Sequence, residues 1–210
     1  MRVNRLRMNA GKTQLIWLGT RQQLHKLPTG DVHLLSASIR PQLVVRDLGV
    51  TLDSQLTMAD RVTTVCRAGY YQLRQLRHIT QSLTPTVAQT LAQAFISCRL
   101  GYCSSLFYGI ADSQLRRLQS VQNAAARLIT GTRRTGHITP VLQSLHWLPV
   151  RQRILFKVAV LVHKCLNGRA PACLADDCRW IRHRRAGLRS SSDMMKLDIP
   201  PDPPTRTTFR

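Results

Sequence analysis

Between Leu52 and Asp60 the apolar residues change their period. Before this stretch they come in short β-branched or loosely alternating runs, the pattern of half-buried strands. After it they recur every three or four residues, the spacing of helices with one buried face. A chain with one such switch is expected to be α+β, with short strands first and a mainly helical bundle behind them. Its 210 residues suffice for one ordinary domain or two small ones.

In the first 53 residues, Gln14-Leu15-Ile16-Trp17-Leu18-Gly19 is an apolar run ended by Gly, and Leu34 to Leu43 alternates. Val44 to Leu52 is β-branched with Gly49 inside, which reads as a bulged strand or a close backbone approach. Leu27-Pro28-Thr29-Gly30-Asp31 reads as a turn. Behind the switch, Asp60 is the expected cap of a helix that turns Val62, Val65, Leu73 and Leu76 inward. Thr84-Pro85 starts a second helix with Val87, Leu91, Ala94, Phe95 and Cys98 on its apolar face. Asp112 is expected to cap a third, with Leu115, Leu118, Val121, Ala125, Leu128 and Ile129 inward and Gly131 as its stop. Thr139-Pro140 opens a short helix to Leu145, and Trp147 is expected to pack in the core with His146. Pro149 opens the last long helix, with Ile154, Leu155, Val158, Leu161, Val162 and Cys165 inward, and Asn167-Gly168 and Pro171 stop it. Three regions result: a strand-bearing segment 1–53, a helical region 54–189, and a Pro-rich tail 190–210 expected to be disordered.

Charge narrows the partners. Lys and Arg number 31 against 10 acids, a net charge of +21. Every acid is Asp, so no glutamate is present to act as general base, metal ligand or capping-box partner. A surface this basic favours a polyanion, above all RNA or DNA held through its phosphates. No apolar run approaches the ~18 residues of a membrane span, and no apolar stretch succeeds the basic N-terminus as in a secretory signal. The expectation is an intracellular chain, nuclear or cytoplasmic, neither secreted nor membrane-bound.

No catalytic motif emerges. Nucleophile-elbow, zincin and complete phosphate-loop patterns are absent. Ala10-Gly11-Lys12-Thr13 has the ending of a phosphate loop but precedes a strand-like run rather than a helix. Asp176-Asp177 has no third acid nearby and reads as a solvated turn. Cys165, Cys173, Cys178 and His183 fit no common zinc spacing and read as thiols rather than a metal set. No metal and no cofactor are expected.

Several ordered stretches resemble one family. Leu6-Arg7-Met8-Asn9-Ala10-Gly11-Lys12-Thr13-Gln14 with Leu18-Gly19, and Arg46-Asp47-Leu48-Gly49-Val50-Thr51-Leu52-Asp53, are similar to the "LxxNxxKTE…LG" and "xxLGVxxD" segments of LINE-type (non-LTR) retrotransposon reverse transcriptases. Tyr71 to Arg77 resembles the first helix of the thumb. Ser97 to Cys103 resembles "SRLDYCN", with Tyr108-Gly109 behind it as in the family. Leu118 to Leu128 is similar to "LQxVQNxAARL". His137 to Pro140 and Leu145 to Ile154 are similar to "HITPVLxxLHWLPVxxRI". Lys164 to Pro171 is similar to "YKxLxGxAPxYL". The resemblance covers nearly the whole chain. Gln14 and Gly101 depart from it where Glu and Asp are usual.

The resemblance implies that 1–53 is a palm-edge remnant and 54–189 a thumb-like region. The metal-binding aspartates of an RNA-directed DNA polymerase would lie ahead of the Lys12 segment, so this stretch is expected not to polymerise. Lys12 is then only a remnant of the palm lysine, and Gly49 matches the turn that approaches a primer strand. Arg67, Arg74, Arg77, Arg99, Arg116, Arg117, Arg127, Arg133, Arg134, Arg151, Arg153 and Lys157 become the expected phosphate contacts. Two other readings stay open: a non-enzymatic basic RNA- or DNA-binding helical module, and a translated relic without selected function.

Overall fold

The computed structural model describes residues 9–27, 30–34 and 37–178. The first residues of the Lys12 segment, the Pro28-Thr29 turn, the basic cluster 181–185 with His183, and the Pro-rich tail 190–210 lie outside the described residues. The chain is mixed α and β, mostly helical with a few short strands. Residues up to Ile154 form one compact unit, and Leu155 onward belongs to a second.

The strands of the first unit are short and make two-stranded pieces. A single 3₁₀ turn, Ala10–Lys12, leads into β1 (Leu15–Ile16), which pairs in parallel with β4 (Pro41–Gln42). Between them come α1 (Arg21–Leu24) and the antiparallel pair β2 (Val32–Leu34) and β3 (Ala37–Ile39). Thr20 and Gln23 form a reciprocal capping box at the start of α1, with glutamine in the place more often held by glutamate.

β5 (Val44–Asp47) and β6 (Val50–Asp53) are antiparallel, with Asp47 opposite Val50. The Val44–Leu52 run is therefore a hairpin and not one bulged strand. Leu48 and Gly49 are its two loop residues, and both have positive φ, 46° and 80°. A two-residue loop with both φ positive matches the twist of the flanking strands. Gly49 adopts this without strain, whereas Leu48 does so at a steric cost.

The long helix α2 (Ala59–Ile79) begins where the period changes. Its cap is not Asp60. The Asp53 carboxylate, at the end of β6, accepts from the Thr57 N–H (2.8 Å), the Thr57 hydroxyl (2.9 Å) and the Met58 N–H (2.9 Å). Partial burial pushes this carboxyl up, but those hydrogen bonds prevail and hold its pKa below the ordinary aspartate value. Val62, Val65, Leu73 and Leu76 are buried as the period predicts.

α3 (Pro85–Ala92) starts at Thr84-Pro85 as expected, but its buried face differs from the expected one. Ala88, Ala92, Ile96 and Leu100 face inward, while Val87, Phe95, Ala94 and Cys98 are exposed. A π-turn over Gln93–Ser97 joins α3 to α4 (Cys98–Gly101), and the wider turn resets the helical phase. A second 3₁₀ segment, Ser104–Phe107, buries Phe107.

α5 (Asp112–Thr130) packs along α2. Ala111 occupies its cap position and no side chain caps it, so Asp112 is the first helical residue rather than the cap. Leu118, Val121 and Ala125 are fully buried, while Leu115, Leu128 and Ile129 pack at the margin of the core. The two helices approach closely at Gly69, where a Cβ would stand 2.6 Å from Val121 Cγ1. Gly131 ends α5 with φ 67°.

α6 (Ile138–Ser144) starts one residue before Thr139, with His137 at its cap position. Trp147 is buried with Val150 and Ile154, whereas His146 is exposed and has φ 53° rather than packing beside it. The turn between α6 and α7 (Val150–Leu166) is fastened to α5 by amides. The wholly buried Gln122 donates to the Leu148 carbonyl at 2.9 Å, and Gln119 accepts from the Val150 N–H at 2.8 Å and donates to Gln122 at 3.0 Å. Burying an amide is tolerated because its polar atoms are paired.

The second unit starts within α7. Cys165 is buried and Val158 and Val162 are half-buried, but Leu155 and Leu161 are exposed instead of facing inward. The helix stops at Gly168 (φ 65°), where the Arg169 N–H donates to the Lys164 carbonyl at 2.8 Å. A short α8 (Ala172–Ala175) comes next, with Pro171 at its cap position, and Asp176-Asp177 form the turn behind it. Among the described residues no group of His, Cys or Asp could hold a metal ion, and no helix is long and apolar enough to cross a membrane.

Candidate nucleic-acid interface

The outer side of α2 is laid out by the same period that fixes its core side. Val65, Gly69, Leu73 and Leu76 point inward. Arg67, Tyr71, Arg74 and His78 therefore share the opposite, exposed face, with Tyr70 and Arg77 at its margin. This stripe alternates cations with aromatic rings. Guanidinium groups suit phosphates, and exposed rings offer stacking surfaces.

α5 adds to this side. Arg116 and Arg117 are exposed, and Arg117 reaches across to α2. Its guanidinium donates to Thr63 Oγ1 at 3.1 Å and to Gln114 Oε1 at 3.0 Å. The Tyr70 and Ser120 hydroxyls lie 2.8 Å apart. Arg67 and Arg117 thus line one groove between the helices, with Cys66 at its floor. Burial pushes the Cys66 thiol up, although the Arg117 charge opposes this, so the thiol stays protonated at neutral pH.

The other expected contacts are placed less uniformly. Arg133 and Arg134 are exposed in the loop behind α5. Arg127 is half-buried, and its buried Nε has no hydrogen-bond partner. Arg151 is engaged in an ion pair with Asp112, both side chains being largely exposed. Arg153 is half-buried, with a long contact of 3.4 Å from its guanidinium to the Leu148 carbonyl, and burial disfavours its charge. Lys157 is half-buried and belongs to the second unit. Lys12 is exposed in the turn before β1. Arg67, Arg74 and Arg77 are thus exposed on α2, Arg117 reaches across to them from α5 and Arg116 is exposed beside it in sequence, while Arg151 and Arg153 serve contacts within the protein.

Gly49 and Arg99 belong to a different place, a cleft of about 490 Å³ walled by the hairpin, α2 and α4. Sequence reasoning did not single out Arg46, Arg61 or Tyr102, which complete it. Arg61 sits on the inward side of α2, where it interrupts the apolar pattern. It is only 8% exposed. It donates to the Gly49 carbonyl at 3.0 Å, and its guanidinium lies 5.8 Å from the centre of the Tyr102 ring. The Tyr102 hydroxyl donates to the Leu48 carbonyl at 2.6 Å. Both carbonyls of the hairpin loop are thus held by side chains from the helical part. A charged residue inside an apolar stripe was the available signal for this site.

No family model, curated protein or solved structure matches this chain.

Proposed function

We propose that this chain binds RNA or DNA through the phosphate backbone, as a stretch like the thumb of a LINE-type reverse transcriptase. The observation that carries the binding reading is the outer face of α2 and α5. Five exposed arginines and two exposed tyrosines stand there on a chain of net charge +21. Contacts of this kind position a strand without reading its sequence. The retrotransposon origin rests on the ordered segments around Lys12, Leu48-Gly49, Leu118–Leu128 and Leu145–Ile154. On this reading the region 1–53 derives from the edge of a palm and the helices from a thumb.

The test has two parts. Affinities for short RNA and DNA strands of several sequences are measured by fluorescence anisotropy, for the wild type and for the double variant Arg67→Gln, Arg74→Gln. The variant is expected to bind every strand more weakly, and by a similar factor each time. An unchanged affinity refutes the assignment of this face. Template–primer, Mg²⁺ and deoxynucleotides are then supplied to the purified chain. No primer extension is expected from these 210 residues, and extension refutes that expectation.

A further inference from the structure

The cleft beside the hairpin concentrates positive charge without matching carboxylates. Arg46 comes from β5, Arg61 from α2 and Arg99 from α4, and all three line it. Among the described residues no carboxylate forms an ion pair with any of them, and no lining residue is acidic. Arg61 as a residue is only 8% exposed, and its guanidinium faces the cleft. Burial disfavours its charged form most, Cys103 and Tyr102 oppose this, and the like charge of Arg46 adds a smaller penalty. An isolated buried cation is costly unless an anion or dipole compensates it. The Gly49 carbonyl supplies one dipole. Several guanidinium donors remain, and the Thr64 hydroxyl lines the same space.

Size and shape narrow the anion. About 490 Å³ lies within the range of small-ligand sites, roughly 300–1,000 Å³. The walls come from three elements, so the site is a half-open cleft at their junction. A phosphodiester inside a strand carries one charge and must continue on both sides. A terminal phosphomonoester approaches two charges near neutral pH, presents three oxygens and needs one way in. Three guanidinium groups around one cleft suit the second better.

We propose that this cleft is a binding site for a phosphomonoester, presented either by the 5′ end of a nucleic-acid strand or as free phosphate. The site does not depend on the outer face of α2, and the experiment separates the two. Two oligonucleotides of one sequence, with a 5′-phosphate or a 5′-hydroxyl, are bound at fixed salt. Inorganic phosphate is added as competitor and, separately, as a stabiliser in thermal unfolding. The phosphorylated strand is expected to bind about tenfold tighter, the effect of one added charge-assisted contact set. Phosphate should erase that difference. Arg46→Gln and Arg99→Gln, both at exposed positions, should bring the two strands to equal affinity.

Equal affinities in the wild type, with a phosphate-dependent rise in Tm that Arg46→Gln abolishes, assign the site to free phosphate. Equal affinities with no rise in Tm overturn the proposal, as does a preference that survives in both variants. A 5′-hydroxyl strand that fails to bind while the phosphate effect persists refutes the outer-face reading and leaves this site standing.

Discussion

The helix pair α2–α5 and the hairpin β5–β6 lie in one compact unit, and they are held by different means. Each helix closes its backbone hydrogen bonds internally, so one stripe of side chains has to find a partner. That stripe is mainly apolar, with Val62, Val65, Val121 and Ala125 in one core and Arg61 and Gln122 as its buried polar members. The hairpin has four residues in each strand and cannot cover both of its faces. Val45 and Val50 are buried, but Leu43 is 77% and Leu48 is 82% exposed. What fixes the hairpin is polar: Arg61 and Tyr102 on its loop carbonyls, and Asp53 between its last strand and α2. Burial of apolar surface holds the helices, and tethers to those helices hold the strands. The cleft at their junction inherits its charge from the tethers.

Substitutions that remove apolar atoms should therefore act most strongly on the helix pair. Leu118→Ala, at a position 1% exposed, is expected to cost about 2–5 kcal/mol in urea unfolding. A loss comparable with that of an exposed leucine would show that α5 is not packed. Gly69→Ala comes next. Its Cβ would meet Val121, a β-branched side chain with little freedom to turn away. Such overpacking costs about 1–3 kcal/mol, and the better helix propensity of Ala returns at most about 1 kcal/mol. Adding Val121→Ala should relieve the clash, so the double variant should lose less than the two single losses together. Simple additivity would place the close approach elsewhere.

Asp53→Ala tests the tether between the regions. Losing a hydrogen bond of the kind Asp53 accepts from Thr57 and Met58 costs about 0.5–1.5 kcal/mol. The pH dependence carries a sign. The folded carboxyl titrates below its unfolded value, so its stabilisation is complete above the ordinary aspartate range. It is lost as pH falls through the folded pKa. Wild type and variant should therefore converge in stability on acidification below about pH 4. A constant difference at all pH values would contradict the tether. The smallest effect belongs to the hairpin loop. Leu48→Asn places a residue that tolerates positive φ before Gly49, and it should stabilise the fold by about 1 kcal/mol. Destabilisation would mean that Leu48 does more than turn the chain.

The sequence was legible where one local rule decides. The change of period located α2, and the apolar spacing named Val62, Val65, Leu73 and Leu76. Gly131 and Gly168 marked helix ends, and Trp147 was assigned to the core. It was misread where the deciding partner is remote or the local signal is atypical. Leu at the first position of a two-residue loop hides a hairpin, because Asn or Gly would normally announce it. A π-turn at Gln93–Ser97 shifts the phase behind Ala92, so straight helical counting selects Phe95 in place of Ile96, while ahead of it the small Ala88 is passed over for the larger Val87. Asp53 holds the turn ahead of α2 from the preceding strand, a contact that helix spacing does not contain. The exposed arginines of α2 were readable from the period. In the cleft Arg99 was named but not its neighbours, because Arg46, Arg61 and Arg99 meet only through the packing of a hairpin on two helices.

The central claim, that the outer face of α2 and α5 holds a phosphate backbone, is tested most directly by salt. Affinity for a fixed strand is measured over a range of ionic strength and plotted as log K against log salt. Each phosphate contact should contribute a slope of roughly −0.7 to −0.9. The account predicts a steep slope for the wild type, made shallower by about two contacts in the Arg67→Gln, Arg74→Gln variant. A flat response in the wild type, or the same slope in both proteins, would contradict it.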